Sequence, residues 1–223
     1  IGGTALTKEV NPISGANINE LNWKVNVNTS MQDLGASGKV FKDTLQGNHK
    51  YKADSLVVKK YKLGTDGTTR TDESIVTGEY DNLVNTQLDF SLNLTGKYAY
   101  EITYTIIPGD TEDSSQTVKN KAEFPGVTPI EKSVTITYGK PLEKIGTKAS
   151  PVGTTNWTIK VNENLKTIAS GVTITDTWTG SHQLDGSITV PELDAADYTI
   201  VTNDTGFVLT LNNPVSKAFA INY

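Results

Sequence analysis

Apolar and polar residues alternate along most of the chain. In Leu21-Asn22-Trp23-Lys24-Val25-Asn26-Val27 the odd positions are apolar and the even ones polar. Phe90-Ser91-Leu92-Asn93-Leu94, Ile102-Thr103-Tyr104-Thr105-Ile106, Val134-Thr135-Ile136-Thr137-Tyr138, Val172-Thr173-Ile174-Thr175 and Phe207-Val208-Leu209-Thr210-Leu211 follow the same rule. A period of two sets one face of a strand on a core and the other in water, as in antiparallel sheets. Gly64-Thr65-Asp66-Gly67, Pro108-Gly109-Asp110 and Asn212-Asn213-Pro214 punctuate these runs, and no long helical period appears. Short strands between turns predict an all-β chain of antiparallel β-sandwiches.

The pattern occurs twice. Asn22-Trp23-Lys24-Val25-Asn26-Val27-Asn28 returns as Asn156-Trp157-Thr158-Ile159-Lys160-Val161-Asn162. Val40-Phe41-Lys42-Asp43-Thr44-Leu45 returns as Thr173-Ile174-Thr175-Asp176-Thr177-Trp178. The pair of segments at Phe90 and Tyr100-Glu101-Ile102-Thr103-Tyr104 matches that at Phe207 and Phe219-Ala220-Ile221-Asn222-Tyr223, and Leu6-Thr7-Lys8 matches Leu142-Glu143-Lys144. Two tandem domains, 1–138 and 139–223, are expected, joined near Gly139-Lys140-Pro141. The first copy continues beyond Tyr104 through Thr117-Val118-Lys119-Asn120-Lys121-Ala122-Glu123-Phe124 to Tyr138, whereas the second lacks these last strands. Either a boundary falls inside the second domain or a neighbouring chain completes it. The opening Ile1-Gly2-Gly3, without initiator Met or leader, reads as part of a longer polypeptide.

Composition narrows the chemistry. Among 223 residues there are 32 Thr, 19 Gly and 18 Asn, which favour strands and turns. The net charge of −5, without a basic run, argues against a nucleic-acid partner. No apolar stretch is long enough for a spanning helix, so membrane insertion is not expected. With no cysteine there is neither disulfide nor thiolate metal site, and His49 and His182 lie far apart in sequence. Acids cluster at Asp66, Asp72 and Glu73 and at Asp110, Glu112 and Asp113, but neither set has calcium-loop spacing. No cofactor or metal is called for.

Lys8, the Asn-Trp-x-Val-x-Val-Asn segment, Val40-x-x-Asp43-Thr44, the Ile-x-Tyr strand and Val118-x-Asn120-x-Ala122 together resemble a known pattern. It is that of the immunoglobulin-like sandwich domains of Gram-positive cell-wall adhesins, of the collagen-adhesin A-region and antigen I/II type. The resemblance implies two immunoglobulin-like domains, the second C-terminally incomplete. It further implies an intramolecular isopeptide bond joining Lys8 to Asn120, with Asp43 as promoter. In the second copy Lys144 and Asp176 match donor and promoter, Lys148 competes as donor, and the matching Asn is absent. The chain would then be an extracellular, cell-wall-anchored adhesin binding a host matrix protein or cell-surface ligand. It would not be a turnover enzyme, because the cross-link forms once per molecule. A stalk or pilus-like spacer, or an accessory sandwich of an extracellular glycoside hydrolase, are the rival readings.

The chemistry also follows from elementary considerations. An ammonium must lose a proton to become a nucleophile, and burial in an apolar core disfavours the charged form. A carboxyl beside the amide, donating to the Asn120 carbonyl, would polarise it for attack. The bland alternatives are an exposed edge lysine at Lys8, an Asx turn at Asp43 and ordinary hydrogen bonding at Asn120. Trp23 and Trp157 are expected in the cores, Trp178 in the core or partly exposed. Tyr98, Tyr100 and Tyr104 share a face, as core or as a binding platform.

Overall fold

Each alternating run becomes a strand. In the computed structural model, which describes residues 5–11, 19–111, 113–149 and 153–223, the first ten strands are β1 (Leu6–Val10), β2 (Leu21–Val27), β3 (Lys39–Leu45), β4 (Lys50–Tyr51), β5 (Val57–Leu63), β6 (Arg70–Ile75), β7 (Asp89–Leu94), β8 (Ala99–Ile107), β9 (Ser115–Glu123) and β10 (Ile130–Thr137). Six follow: β11 (Leu142–Lys148), β12 (Thr155–Val161), β13 (Thr173–Thr177), β14 (Tyr198–Asn203), β15 (Gly206–Leu211) and β16 (Phe219–Asn222). Ile1, Gly2, Gly3 and Glu112 lie outside the described residues. The chain divides into compact units of residues 1–136 and 137–223, two residues ahead of the boundary expected from sequence.

Unit 1 is an immunoglobulin-like sandwich. One sheet runs β1-β2-β8-β5-β6, with β4 also on β8, and the other runs β10-β9-β3-β7. The assigned pairings are antiparallel. Alternation sends Leu21, Trp23, Val25 and Val27 of β2 and Tyr100, Ile102, Tyr104 and Ile106 of β8 inward. Phe41 and Leu45 of β3 and Phe90, Leu92 and Leu94 of β7 meet them from the second sheet. Burying one such side chain contributes about 1.5–3 kcal/mol, so the two inner faces dominate the stability.

Unit 2 repeats the plan with fewer strands: β11-β12-β16 in one sheet and β13-β15-β14 in the other. Its core gathers Ile159, Val161, Phe207, Leu209, Leu211, Phe219 and Ile221. The registers match those of unit 1. Leu6 pairs with Val27 and Lys8 with Val25, while Leu142 pairs with Val161 and Lys144 with Ile159. Asp43 pairs with Phe90, and Asp176 with Phe207. One departure concerns Trp157, expected in the core. Trp23 is buried, whereas its counterpart Trp157 is half-exposed, because among the described residues β13 pairs only with β15 and nothing occupies the place of β9.

Candidate functional site

Three strands of unit 1 each carry one polar residue in an inward slot. Lys8 follows Leu6 on β1, Asp43 lies between Phe41 and Leu45 on β3, and Asn120 between Val118 and Ala122 on β9. Strand period two therefore aims all three into the core, where Lys8 is 4 % exposed and Asp43 and Asn120 are fully buried. Asp43 is inside a strand, not in an Asx turn. Lys8 and Asn120 come from different sheets and share Asp43 and Tyr104 as hydrogen-bond partners.

The cluster is closely hydrogen-bonded. Lys8 Nζ donates to Asp43 Oδ2 at 2.7 Å and to the Tyr104 hydroxyl at 2.6 Å. Asn120 Nδ2 donates to Asp43 Oδ1 at 2.6 Å and to the Thr44 carbonyl at 3.0 Å. Tyr51 donates to Asp43 Oδ1 at 2.7 Å. The single Tyr104 hydroxyl proton has two acceptors in reach, Asn120 Oδ1 at 2.6 Å and Asp43 Oδ2 at 2.7 Å. Thus the donor facing the Asn120 carbonyl is Tyr104, where the sequence argument had placed Asp43. Tyr51, Phe90 and Tyr104 wall the cluster with edge-to-face rings 5.2–5.8 Å apart. Lys8 Nζ also lies 5.1 Å from the centre of the Trp23 ring.

Burial sets the protonation of this cluster. Desolvation lowers the Lys8 pKa from its usual 10.5 against the opposing pull of Asp43. Desolvation first, and the Asp43 charge second, raise both Tyr51 and Tyr104 above the ordinary tyrosine value. Both phenols therefore stay protonated at neutral pH and serve as donors. The site holds a partly desolvated amine, a carboxyl and a carboxamide whose oxygen already accepts a hydrogen bond.

Unit 2 holds part of the same set. Lys144 Nζ donates to Asp176 Oδ1 at 2.6 Å, and the Tyr223 hydroxyl makes a short hydrogen bond to Asp176 Oδ2. Lys144, the register counterpart of Lys8, makes this contact; Lys148 lies four residues along β11, opposite Thr155, and is exposed. The Lys144 side chain is 35 % exposed, against 0 % for Lys8. Around this pair lies a cavity of about 430 Å³, lined in part by Trp157, Trp178, His182 and Tyr223.

Other candidates resolve more simply. Asp66 accepts from the Thr68 and Thr69 amides and the Thr69 hydroxyl, and these bonds, the hydroxyl foremost, hold its pKa down to about 2. It closes a turn. Tyr100 and Tyr104 are core, while Tyr98 is half-buried with Lys60 and Lys62 over its ring. Tyr51 and Tyr104 are the members of the cluster that sequence reasoning did not assign a role. For Tyr104 a signal existed, since it returns as Tyr223, the residue that meets Asp176.

The family model described as collagen binding domain matches residues 13–135, over half of the chain. Solved structures to which the chain is similar include the collagen binding domain of Erysipelothrix rhusiopathiae surface protein RspB, at 13 % identity and TM-score 0.40, covering 60 % of this chain and 46 % of that one. The collagen-binding domain from a Staphylococcus aureus adhesin matches at 14 % identity and TM-score 0.38, covering 61 % of this chain and 98 % of that one. The C-terminal domain of the Streptococcus agalactiae AgI/II polypeptide BspA matches at 12 % identity and TM-score 0.36, covering 97 % and 88 %. The chain thus spans about half the length of the RspB structure. No curated protein matches the chain.

Proposed function

The chain belongs to the collagen-binding domain family, and on that premise we propose that it is the adhesive part of a bacterial surface protein, with unit 1 covalently stapled between Lys8 and Asn120. Its ligand is a host extracellular-matrix protein, collagen first among candidates because the family is described by it. Such a protein works outside the cell, attached to the wall.

The observation that carries the staple is the buried meeting of amine, carboxyl and carboxamide. A proton passing from Lys8 to Asp43 frees the amine lone pair. Nζ then attacks Cγ of Asn120 while Tyr104 donates to Oδ1 and holds the developing oxyanion. The Nζ–Cγ bond forms, Asp43, 2.6 Å from Nδ2, gives that nitrogen a proton and takes the second proton of Nζ, and the Cγ–Nδ2 bond breaks as ammonia leaves. One amine and one primary amide become one secondary amide and one ammonia. The fold supplies the high local concentration, so no separate enzyme is required.

The physical benefit is mechanical. β1 is the first strand of the unit and β9 the last but one, in opposite sheets. Tension entering at β1 and leaving near β10 would cross the new amide instead of peeling the strands between. A cysteine-free chain gains a disulfide-like restraint in this way.

Two measurements test the reading. Intact mass should fall about 17 Da below the sequence value, the loss of one ammonia. Immobilised collagen should retain the purified chain. A chain that ignores collagen, fibrinogen and other matrix proteins, yet shows the mass loss, is a spacer and not an adhesin.

A further inference from the structure

Asp43 stands between the two groups that react. Lys8 Nζ donates to its Oδ2, with the Tyr104 hydroxyl in reach of the same oxygen, and Asn120 Nδ2 and the Tyr51 hydroxyl both donate to its Oδ1. The carboxyl must keep one oxygen beside the amine and the other beside the leaving nitrogen. Its terminal torsion is a soft one, with broad and roughly two-fold preference, so its plane is set by the donors around it.

Three of those four donors are consumed or diverted as the reaction runs. Lys8 gives up protons and moves onto the Asn120 carbon. Asn120 Nδ2 departs as ammonia. The single Tyr104 proton turns to Asn120 Oδ1, 2.6 Å away, as negative charge grows there. Tyr51 is left, a donor that takes no part in the exchange and keeps its bond to Oδ1 throughout.

The fold holds that donor firmly. Tyr51 is fully buried, its ring edge-on to Phe90 at 5.4 Å and to Tyr104 at 5.8 Å. β4 hangs on β8 through Tyr51 opposite Ile106 and through the Lys52 amide, which donates to the Thr105 carbonyl at 2.8 Å. Two residues before Tyr51, the buried His49 accepts from the Gly109 amide at 3.0 Å and anchors the connection from β3. Tyr51 also stands apart from the set that recurs. In unit 2 Asp176 accepts from Lys144 and Tyr223, and among the described residues no strand takes the place of β4.

We propose that Tyr51 is a positioning residue for the self-linking of unit 1: its hydroxyl locks the plane of the Asp43 carboxyl, so that one oxygen serves Lys8 and the other Asn120. The assignment rests on the reading of unit 1 as a Lys8–Asn120 staple. A tyrosine that only fills the core would leave the rate untouched when replaced by a ring of the same shape.

Tyr51→Phe keeps the ring and removes the donor. Cell-free synthesis of the full chain, quenched at intervals and read by intact mass, follows the ammonia loss as it accrues. Tyr51→Phe should slow that loss by about 10- to 100-fold, the cost of a misplaced proton-transfer group. Placing 4-aminophenylalanine at position 51 returns an N–H donor at the same reach and should restore most of the parental rate. Both replacements are also made in Asn120→Ala, where no link forms, and each should melt within about 5 °C of that variant, showing that the fold is kept. Ammonia loss at the parental rate in Tyr51→Phe overturns this assignment alone, as does a slow rate that 4-aminophenylalanine fails to restore. A parent chain that keeps its full sequence mass overturns the staple and this assignment with it.

Discussion

Replacing Asn120 by alanine separates a covalent staple from an ordinary buried hydrogen-bond network. Asn120 is fully buried and gives up three partners on truncation: Asp43 Oδ1, the Thr44 carbonyl and the Tyr104 hydroxyl. Asp43 keeps Lys8, Tyr51 and Tyr104, and Tyr104 keeps Asp43. The non-covalent cost is thus modest, about 1–3 kcal/mol for groups left partly unsatisfied. A Lys8–Asn120 link closes a loop of about 110 residues, and losing it adds about 5 kcal/mol by the chain-entropy relation. For a unit of 136 residues one kcal/mol moves the melting point by about 3–4 °C. The network alone predicts a drop of about 3–12 °C, whereas network and link together predict about 18–32 °C. Scanning calorimetry of the unit 1 transition, beside intact mass, reads both quantities. The reasoning is refuted if the parent protein has its full sequence mass and Asn120→Ala melts within the smaller range.

Tyr104→Phe keeps the ring against Tyr51 and Phe90 but removes the donor to Asn120 Oδ1. Cross-link formation in freshly synthesised protein, followed by mass, should slow by about 100-fold or more, and an unchanged rate would remove Tyr104 from the mechanism. In Asn120→Ala, Lys8 remains an amine whose pKa is lower folded than its unfolded 10.5. The unfolded chain then binds more protons between those two values, so stability should rise with pH across that window and the penalty should be complete below it. The range from pH 7 to 9.5 avoids His49 and the two buried tyrosines, and adding Lys8→Met should abolish the slope. Gly146 lies opposite Trp157, where an added Cβ would come within 2.6 Å of the indole. Gly146→Ala should destabilise unit 2 by about 1–3 kcal/mol, with the unit 1 transition unmoved in the same calorimetric scan.

The strand pattern, the repeat and the inward aim of three polar residues were legible because each is a local property. Alternation fixes which face a residue joins, so Asn120 between Val118 and Ala122, and Asp43 between Phe41 and Leu45, are inward wherever their strands lie. Recurrence of Lys, Asp and Tyr at corresponding places in the repeated segments marks the same site twice. Which residues touch was not local. β1 and β9 sit in opposite sheets and meet only through the sandwich, and Tyr51 enters from a two-residue strand too short to show a period. Donor assignment was equally hidden: Tyr104 reaches the Asn120 oxygen because β8 runs beside β2, a pairing of residues some eighty apart. Trp23 and Trp157 sit in nearly identical segments, yet one is buried and the other half-exposed. Burial is set by what packs opposite, and unit 2 has no strand at the β9 position among its described residues. Sequence by itself determined strand faces and the chemical inventory, since those depend on nearest neighbours along the chain. Proximity, desolvation and hydrogen-bond direction depend on neighbours across the core, and only the tertiary structure decided them.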